Sequence, residues 1–175
     1  MREIIICDYD PHWVELFQEE KLRLHSLLEH LSPVIEHIGS TSVSNLGAKP
    51  VIDIMIGLDR EEALDMLIAP IEVLGYSYRK EHEAEMPYRR FFRKDTAGIR
   101  SHHIHAVSLT HPFWPRHIAF RDHLRNNLVD AIEYEALKRQ LADQYRFDAD
   151  GYTEAKSAFI QSIIARTEDA SFMRS

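Results

Sequence analysis

The sequence predicts an α/β fold of the α+β kind: a mixed sheet with helices packed against it, continuing into a helical C-terminal part. Three observations lead there. Short β-branched runs alternate with stretches of helical period between Asp10 and Leu109. Beyond Leu109 the apolar spacing is helical throughout. No internal repeat, low-complexity segment or Gly/Ser linker divides the chain, and its seven prolines are dispersed, so residues 1–175 read as one domain.

Asp10-Pro11 is a helix start, an acid at the cap and proline in the first turn. Trp13, Phe17, Leu24, Leu27, Leu28 and Leu31 then keep helical spacing up to Pro33. Val34 to Ile38 is a short strand, followed by the small polar turn Gly39-Ser40-Thr41-Ser42. Val51 to Ile56 is a nearly continuous apolar strand. A helix from about Asp59 to Leu74 stops at Gly75, a C-cap residue. Strands follow near Tyr76 to Arg79, Tyr88 to Arg93 and His103 to Leu109. Phe113 to Leu128 is a helix, Asp130-Ala-Ile-Glu133 a capping-box start for the next, and Tyr152 to Arg166 the last. Trp13, Phe91, Phe92, Trp114 and Phe120 are expected in the core.

A chain of 175 residues buries a sizeable core without staples. Cys7, the single cysteine, excludes an intramolecular disulfide framework and reads as a small core residue beside Ile4, Ile5 and Ile6. No apolar run approaches the ~20 residues of a membrane span, and no signal segment follows Met1-Arg2-Glu3, which points to the cytoplasm. A net charge of −7 opposes stable nucleic-acid binding, which draws on a general excess of bases. Locally the balance reverses: Arg79 to Arg100 holds seven bases against four acids, the one stretch that favours an anionic ligand. Of eleven histidines, only His102, His103 and His105 have a spacing with chemical meaning.

Gly39-Ser40, then twelve residues (Thr41 to Ile52), then Asp53 inside an apolar strand, is the informative arrangement. A Gly-Ser turn lets backbone N–H groups and a hydroxyl approach phosphate oxygens closely. The layout resembles the opening of the DNA polymerase β-like nucleotidyltransferases, where such a turn opens a helix and a strand carries two acids one residue apart. Acids so spaced share a face and hold metal ions together. The wider wording matches a narrower group. His37-Ile-Gly-Ser-Thr-Ser-Val43, Ala48-Lys-Pro-Val-Ile-Asp-Ile54, Arg90-Phe-Phe-Arg93 and His102-His-Ile-His105 occur in the order seen in the GrpB family. Phe120-Arg-Asp-His-Leu124, Tyr134-Glu-Ala-Leu-Lys138 and Tyr152-Thr-Glu-Ala-Lys156 continue the resemblance, which runs from about Asp8 to Ile164.

The chain departs from both patterns. Val43-Ser-Asn-Leu46 stands where the family usually reads Val-Pro-Gly-Leu, and Met55 stands where an active nucleotidyltransferase has its second acid. A thioether is a poor ligand for Mg²⁺, so the two-metal mechanism does not carry over intact. Strand alternation puts His103 and His105 on one face, toward the cleft of Asp53 and Met55, with His102, Ile104 and Ala106 on the other. Asp53, His103 and His105 are therefore candidate metal ligands, suited to Zn²⁺, Mn²⁺ or Fe²⁺ better than Mg²⁺. Alternatively the histidines hydrogen-bond to Asp53 or donate to phosphate. Asp53 and His105 are the candidate catalytic pair, and Gly39, Ser40, Thr41, Ser42, Lys49, Arg89 and Arg90 the candidate phosphate contacts. Arg89, Arg90 and Arg93 equally fit a solvated strand edge. Glu36 or His37 enters the cleft, with the choice open. Lys138 and Lys156 have the neighbours Glu135 and Tyr152 on their own helix faces and read as surface residues.

The resemblance implies a nucleotidyltransferase-like enzyme acting on a nucleotide or small phosphorylated substrate, with a degenerate site and a divalent metal (Mg, Mn or Zn) or no cofactor. Two alternatives are a non-catalytic nucleotide- or anion-binding module and a single-metal hydrolase. The module gains support from the joining of GrpB domains to dephospho-CoA kinases.

Overall fold

A computed structural model describes residues 3–172, with side chains to residue 167; Met1, Arg2 and residues 173–175 of the expected domain lie outside the described residues. Helix α1 (His12–Leu28) opens the fold, and the Asp10 carboxylate accepts the His12 N–H at 2.9 Å, as an acid at a helix start should. Strand β1 (Val34–Ile38) leads into a short 3₁₀ turn, Ser40–Ser42, and then β2 (Ile52–Leu58). The segment expected as one helix from Asp59 is a 3₁₀ helix, Glu61–Leu67, followed by α2 (Ile68–Val73). Pro70 explains the tighter front: it lacks an N–H to donate back into that turn. Gly75 ends α2 at φ +84°, its N–H bonded to Glu72 O.

Strands β3 (Ser77–Tyr78), β4 (Arg90–Thr96) and β5 (Ile99–Ser108) complete one mixed sheet in the order β1-β2-β5-β4-β3. Only β2 and β5 run parallel; the other pairs are antiparallel. One sheet face carries Ile35, Ile54, Ile56, Ile104 and Phe92, buried with Trp13, Phe17 and Leu24 of α1 and Ile71 of α2. Beneath this core, Glu20 of α1 is 2 % exposed and pairs with Lys94 of β4 at 2.7 Å.

The other face receives the C-terminal helices α3 (Phe113–Asn126), α4 (Leu128–Gln144), α5 (Ala149–Ala155) and α6 (Ser157–Phe172). Arg121 of α3 pins this layer to β1 through Glu36 at 2.6 Å and His37 O at 3.1 Å. Two expectations change here. The helix start at Asp130 moves to Leu128, because one residue, Asn127, suffices to turn the chain, and Asp130 is occupied by His123 (2.5 Å) and Arg166 (3.2 Å). The last helix begins as α5, where the Asp148 side chain accepts the Gly151 N–H at 2.9 Å.

Candidate functional site

Register across the sheet sets the site. Asp53 stands opposite His103 and Met55 opposite His105 on the parallel pair, while β4 puts Phe91 opposite His105 and Arg93 opposite His103. Directly opposed residues share a face. Asp53, His103 and His105 therefore converge on the face under the C-terminal helices, and His102 turns the other way, 8 % exposed against Tyr76. His103 Nδ1 is 3.0 Å and His105 Nε2 3.9 Å from Asp53 Oδ1. One ligand atom from each residue lies within 4.8 Å of the others.

Burial works against charge on Asp53, but its hydrogen bond to His103 and the nearby His105 imidazole prevail and hold the carboxyl well below the usual range. Burial pulls His105 down to about 4, opposed by the nearby Asp53 carboxylate and assisted by the Arg89 charge. At neutral pH the trio thus offers an anionic oxygen and a neutral imidazole at His105. Three donors held about 2.1 Å from a tetrahedral ion stand roughly 3.4 Å apart. An ion would therefore need the rings to shift and to give up the protons that Arg100 at His103 Nε2 and Arg89 at His105 Nδ1 keep on the nitrogens facing Asp53. Two imidazoles with one carboxylate suit Zn²⁺, Mn²⁺ or Fe²⁺ rather than Mg²⁺.

The Gly39-Ser40 turn borders the trio. Gly39 has φ +71°, and a Cβ there would meet the Asp53 carboxylate, so the turn needs glycine on both counts. Ser40 lies beside the Tyr134 hydroxyl. Thr41 and Ser42 are buried and already engaged: Thr41 Oγ1 with Val51 O (3.3 Å) and His37 Nε2 (3.1 Å), Ser42 Oγ with Gly39 O (2.6 Å). They shape the turn rather than face the cleft. His37 stacks on Phe17 at 4.5 Å in the core and Glu36 is taken by Arg121, so neither enters the site.

The basic residues divide. Arg89 Nη1 reaches His105 Nδ1 at 3.2 Å. Arg90 points to the opposite side and pairs with Asp65 at 2.6 Å, which removes it from the candidate phosphate contacts; strand alternation separates the two arginines. Lys49 Nζ lies 3.8 Å from the Tyr152 ring centre and Lys156 Nζ 4.3 Å from it. Neither lysine forms an ion pair among the described residues. Burial lowers both to about 8, Lys49 also through the Lys156 charge, and Asp53 attracts both.

Lys156 is the residue that sequence reasoning misplaced. Its i, i+4 partner Tyr152 was the available signal, but that spacing does not reveal that the tyrosine is buried. Lys138 is likewise no surface residue: it is 2 % exposed and donates to Gly47 O, while Glu135 accepts the Gly47 N–H at 2.7 Å. Helix α4 thereby clamps the loop that carries Lys49.

The order of strands, with a Gly-Ser turn and an acid on the adjoining strand, defines a nucleotidyltransferase-like fold. Terminal uridylyl transferase 4 from Trypanosoma brucei with bound CTP shares it, at TM-score 0.52 and 12 % identity over 93 % of this chain and 52 % of that one. More specifically, the profile of the family described as GrpB protein matches residues 3–166, and this chain belongs to the GrpB family. The crystal structure of conserved protein GrpB from Enterococcus faecalis superposes at TM-score 0.84 with 37 % identity, covering 96 % of this chain and 99 % of that chain. Protein YqkA of Bacillus subtilis is 36 % identical over 92 % of this chain, which spans 46 % of the length of YqkA. Among the described residues, no helix is long and apolar enough to cross a membrane.

Proposed function

We propose that this chain is a cytoplasmic, nucleotidyltransferase-like enzyme that transfers or hydrolyses a phosphoryl-linked group on a nucleotide or small phosphorylated ligand. The convergence of Asp53, His103 and His105 beside the Gly39-Ser40 turn carries this reading. Asp53 Oδ1, with the His103 and His105 imidazoles, would hold one divalent ion. Bound there, the ion supplies Lewis-acid polarisation of a phosphoryl oxygen and a more acidic water. The backbone N–H groups of the Gly39-Ser40 turn would face the phosphate, and Lys49 and Lys156 would neutralise its charge from the Tyr152 side. Arg89 adds charge next to His105; because a guanidinium only donates, its bond to Nδ1 keeps the ring proton on Nε2, so His105 must release Arg89 before Nε2 can hold an ion.

The test is turnover on a panel of nucleoside triphosphates with Mg²⁺, Mn²⁺ and Zn²⁺, comparing the wild type with Asp53→Ala. Turnover with Mn²⁺ or Zn²⁺, weak with Mg²⁺ and lost in Asp53→Ala, is the expected result. Turnover indifferent to both metal and Asp53 would sink the reading. A second reading, a non-catalytic nucleotide-binding module, draws on Met55, fully buried with Ile38 and Val107 where a second acid would stand. Metal-independent binding without turnover would favour it.

A further inference from the structure

On the β4 side of the trio a second set of charged groups gathers around the buried ring of Phe91. The Arg89 and Arg93 guanidinium carbons lie 4.9 and 5.2 Å from its centre. His82 stands edge-on to the ring at 5.0 Å, with its Nε2 3.4 Å from Arg93 Nη2. Arg79 comes to the same place because its N–H bonds to Phe91 O at 2.8 Å, which continues the β3–β4 pairing. Arg100 borders the group through His103, at 3.4 Å.

The charges here are incompletely balanced. Arg79 pairs with Glu81 at 2.6 Å and Arg100 with Asp95 at 2.5 Å. Among the described residues, Arg89 and Arg93 pair with no carboxylate, and their side-chain hydrogen bonds are to imidazole nitrogens. The Nε atoms of Arg79, Arg89 and Arg93 are buried without an acceptor. Burial, with the Arg100 and Arg79 charges and against those of Glu81 and Asp150, pulls Arg93 below the ordinary arginine range; burial, with Arg93 and against Tyr88 and Glu85, does the same to Arg89. A solvated strand edge would leave such groups in water. These are half-buried, mutually repelling and short of acceptors, which costs folding energy unless an anion completes them.

We propose that Arg89 and Arg93, with Arg79 and His82 beside them, form a second anion site that takes a phosphoryl group. The guanidinium forks match phosphoryl oxygens, and the Phe91 face holds both arginines. The cleft then binds two anionic groups, one at Lys49 and Lys156 on the β2 side and one here, with the trio's strands between them. The ligand class follows: a nucleotide whose phosphates are engaged at both ends, or two phosphorylated ligands bound together. The site shares Arg89 with the proposed reaction but requires neither metal nor turnover.

Equilibrium dialysis of the full chain with radiolabelled inorganic phosphate, in chelator, tests this directly. The wild type is expected to bind two equivalents. Arg93→Gln and Arg89→Gln should each weaken one of them about tenfold or more, the loss of a charged hydrogen-bonding fork, and Lys49→Gln should weaken the other. Arg93→Lys should fall between. One equivalent of a nucleoside triphosphate displacing both phosphates identifies a single bridging ligand; one displaced phosphate identifies two ligands. Melting temperature guards against misfolding. Without anion, Arg93→Gln should melt no lower than the wild type, because an uncompensated charge is removed, and added phosphate should raise the wild type more. Unchanged phosphate stoichiometry and affinity in the Arg89 and Arg93 variants, or equal stabilisation of both proteins by phosphate, would overturn the proposal. The dialysis is blind to Asp53 chemistry, so a chain that binds two phosphates yet shows no turnover refutes the enzyme reading alone.

Discussion

A Cβ placed on Gly39 would fall 2.5 Å from Asp53 Oδ2, so the bare Cα of Gly39 forms the wall against which the Asp53 carboxylate is set. Gly39→Ala would bring both this clash and a positive φ of +71° that alanine resists. The expected cost is about 1–3 kcal/mol of stability, read from the denaturant midpoint. Affinity for Zn²⁺ should fall with it, because the carboxylate must move. A variant as stable and as metal-competent as the wild type would show that the wall is irrelevant.

Met55 lies in an apolar pocket formed with Ile38, Val107, Phe113 and Trp114. Met55→Asp, which restores the acid spacing of a two-metal enzyme, should cost about 3 kcal/mol, since the new carboxylate would be buried among apolar groups with only the neutral His105 imidazole opposite it. It should bring no Mg²⁺-dependent turnover. Urea denaturation and the triphosphate panel check both halves.

Lys138 is pushed down to about 7 by burial, against the attraction of Glu135 and with help from the Lys156 and Arg139 charges. The unfolded chain binds this proton more tightly than the folded one, so the protein should gain stability as pH rises from about 7 toward the ordinary lysine range near 10.4. The slope ascribed to this residue is roughly 1 kcal/mol per pH unit in that window. Lys138→Met should flatten the curve by that amount in denaturation series at pH 7, 8 and 9. An unchanged slope would mean that the lysine keeps its charge.

Glu20 and Lys94 join α1 to β4 beneath the main core, and Glu20 also meets Arg23 at 3.2 Å. Glu20→Ala leaves Lys94 without its closest anion, at a cost of about 3 kcal/mol. Adding Lys94→Met should recover most of the loss. A double mutant as weak as the single one would show that the pair acts through packing instead of charge.

The arrangement of elements was legible in the chain. Val34 to Ile38 forms the expected strand, and two-residue alternation correctly put His103 and His105 on one face and His102 on the other. Gly39-Ser40 with Asp53 marked the right turn and the right strand, because both depend on local geometry that neighbouring residues dictate. The tertiary structure decided what lies between distant segments. The insertion of β5 beside β2 aligned His103 with Asp53, the docking of α5 brought the Tyr152 ring to Lys49, and the clamp of α4 on Gly47 buried Lys138. It also separated Arg89, beside His105, from Arg90, tied to Asp65. Period and turn chemistry belong to a few consecutive residues, whereas register between strands and the burial of a helical lysine are set by what packs against them from elsewhere in the chain.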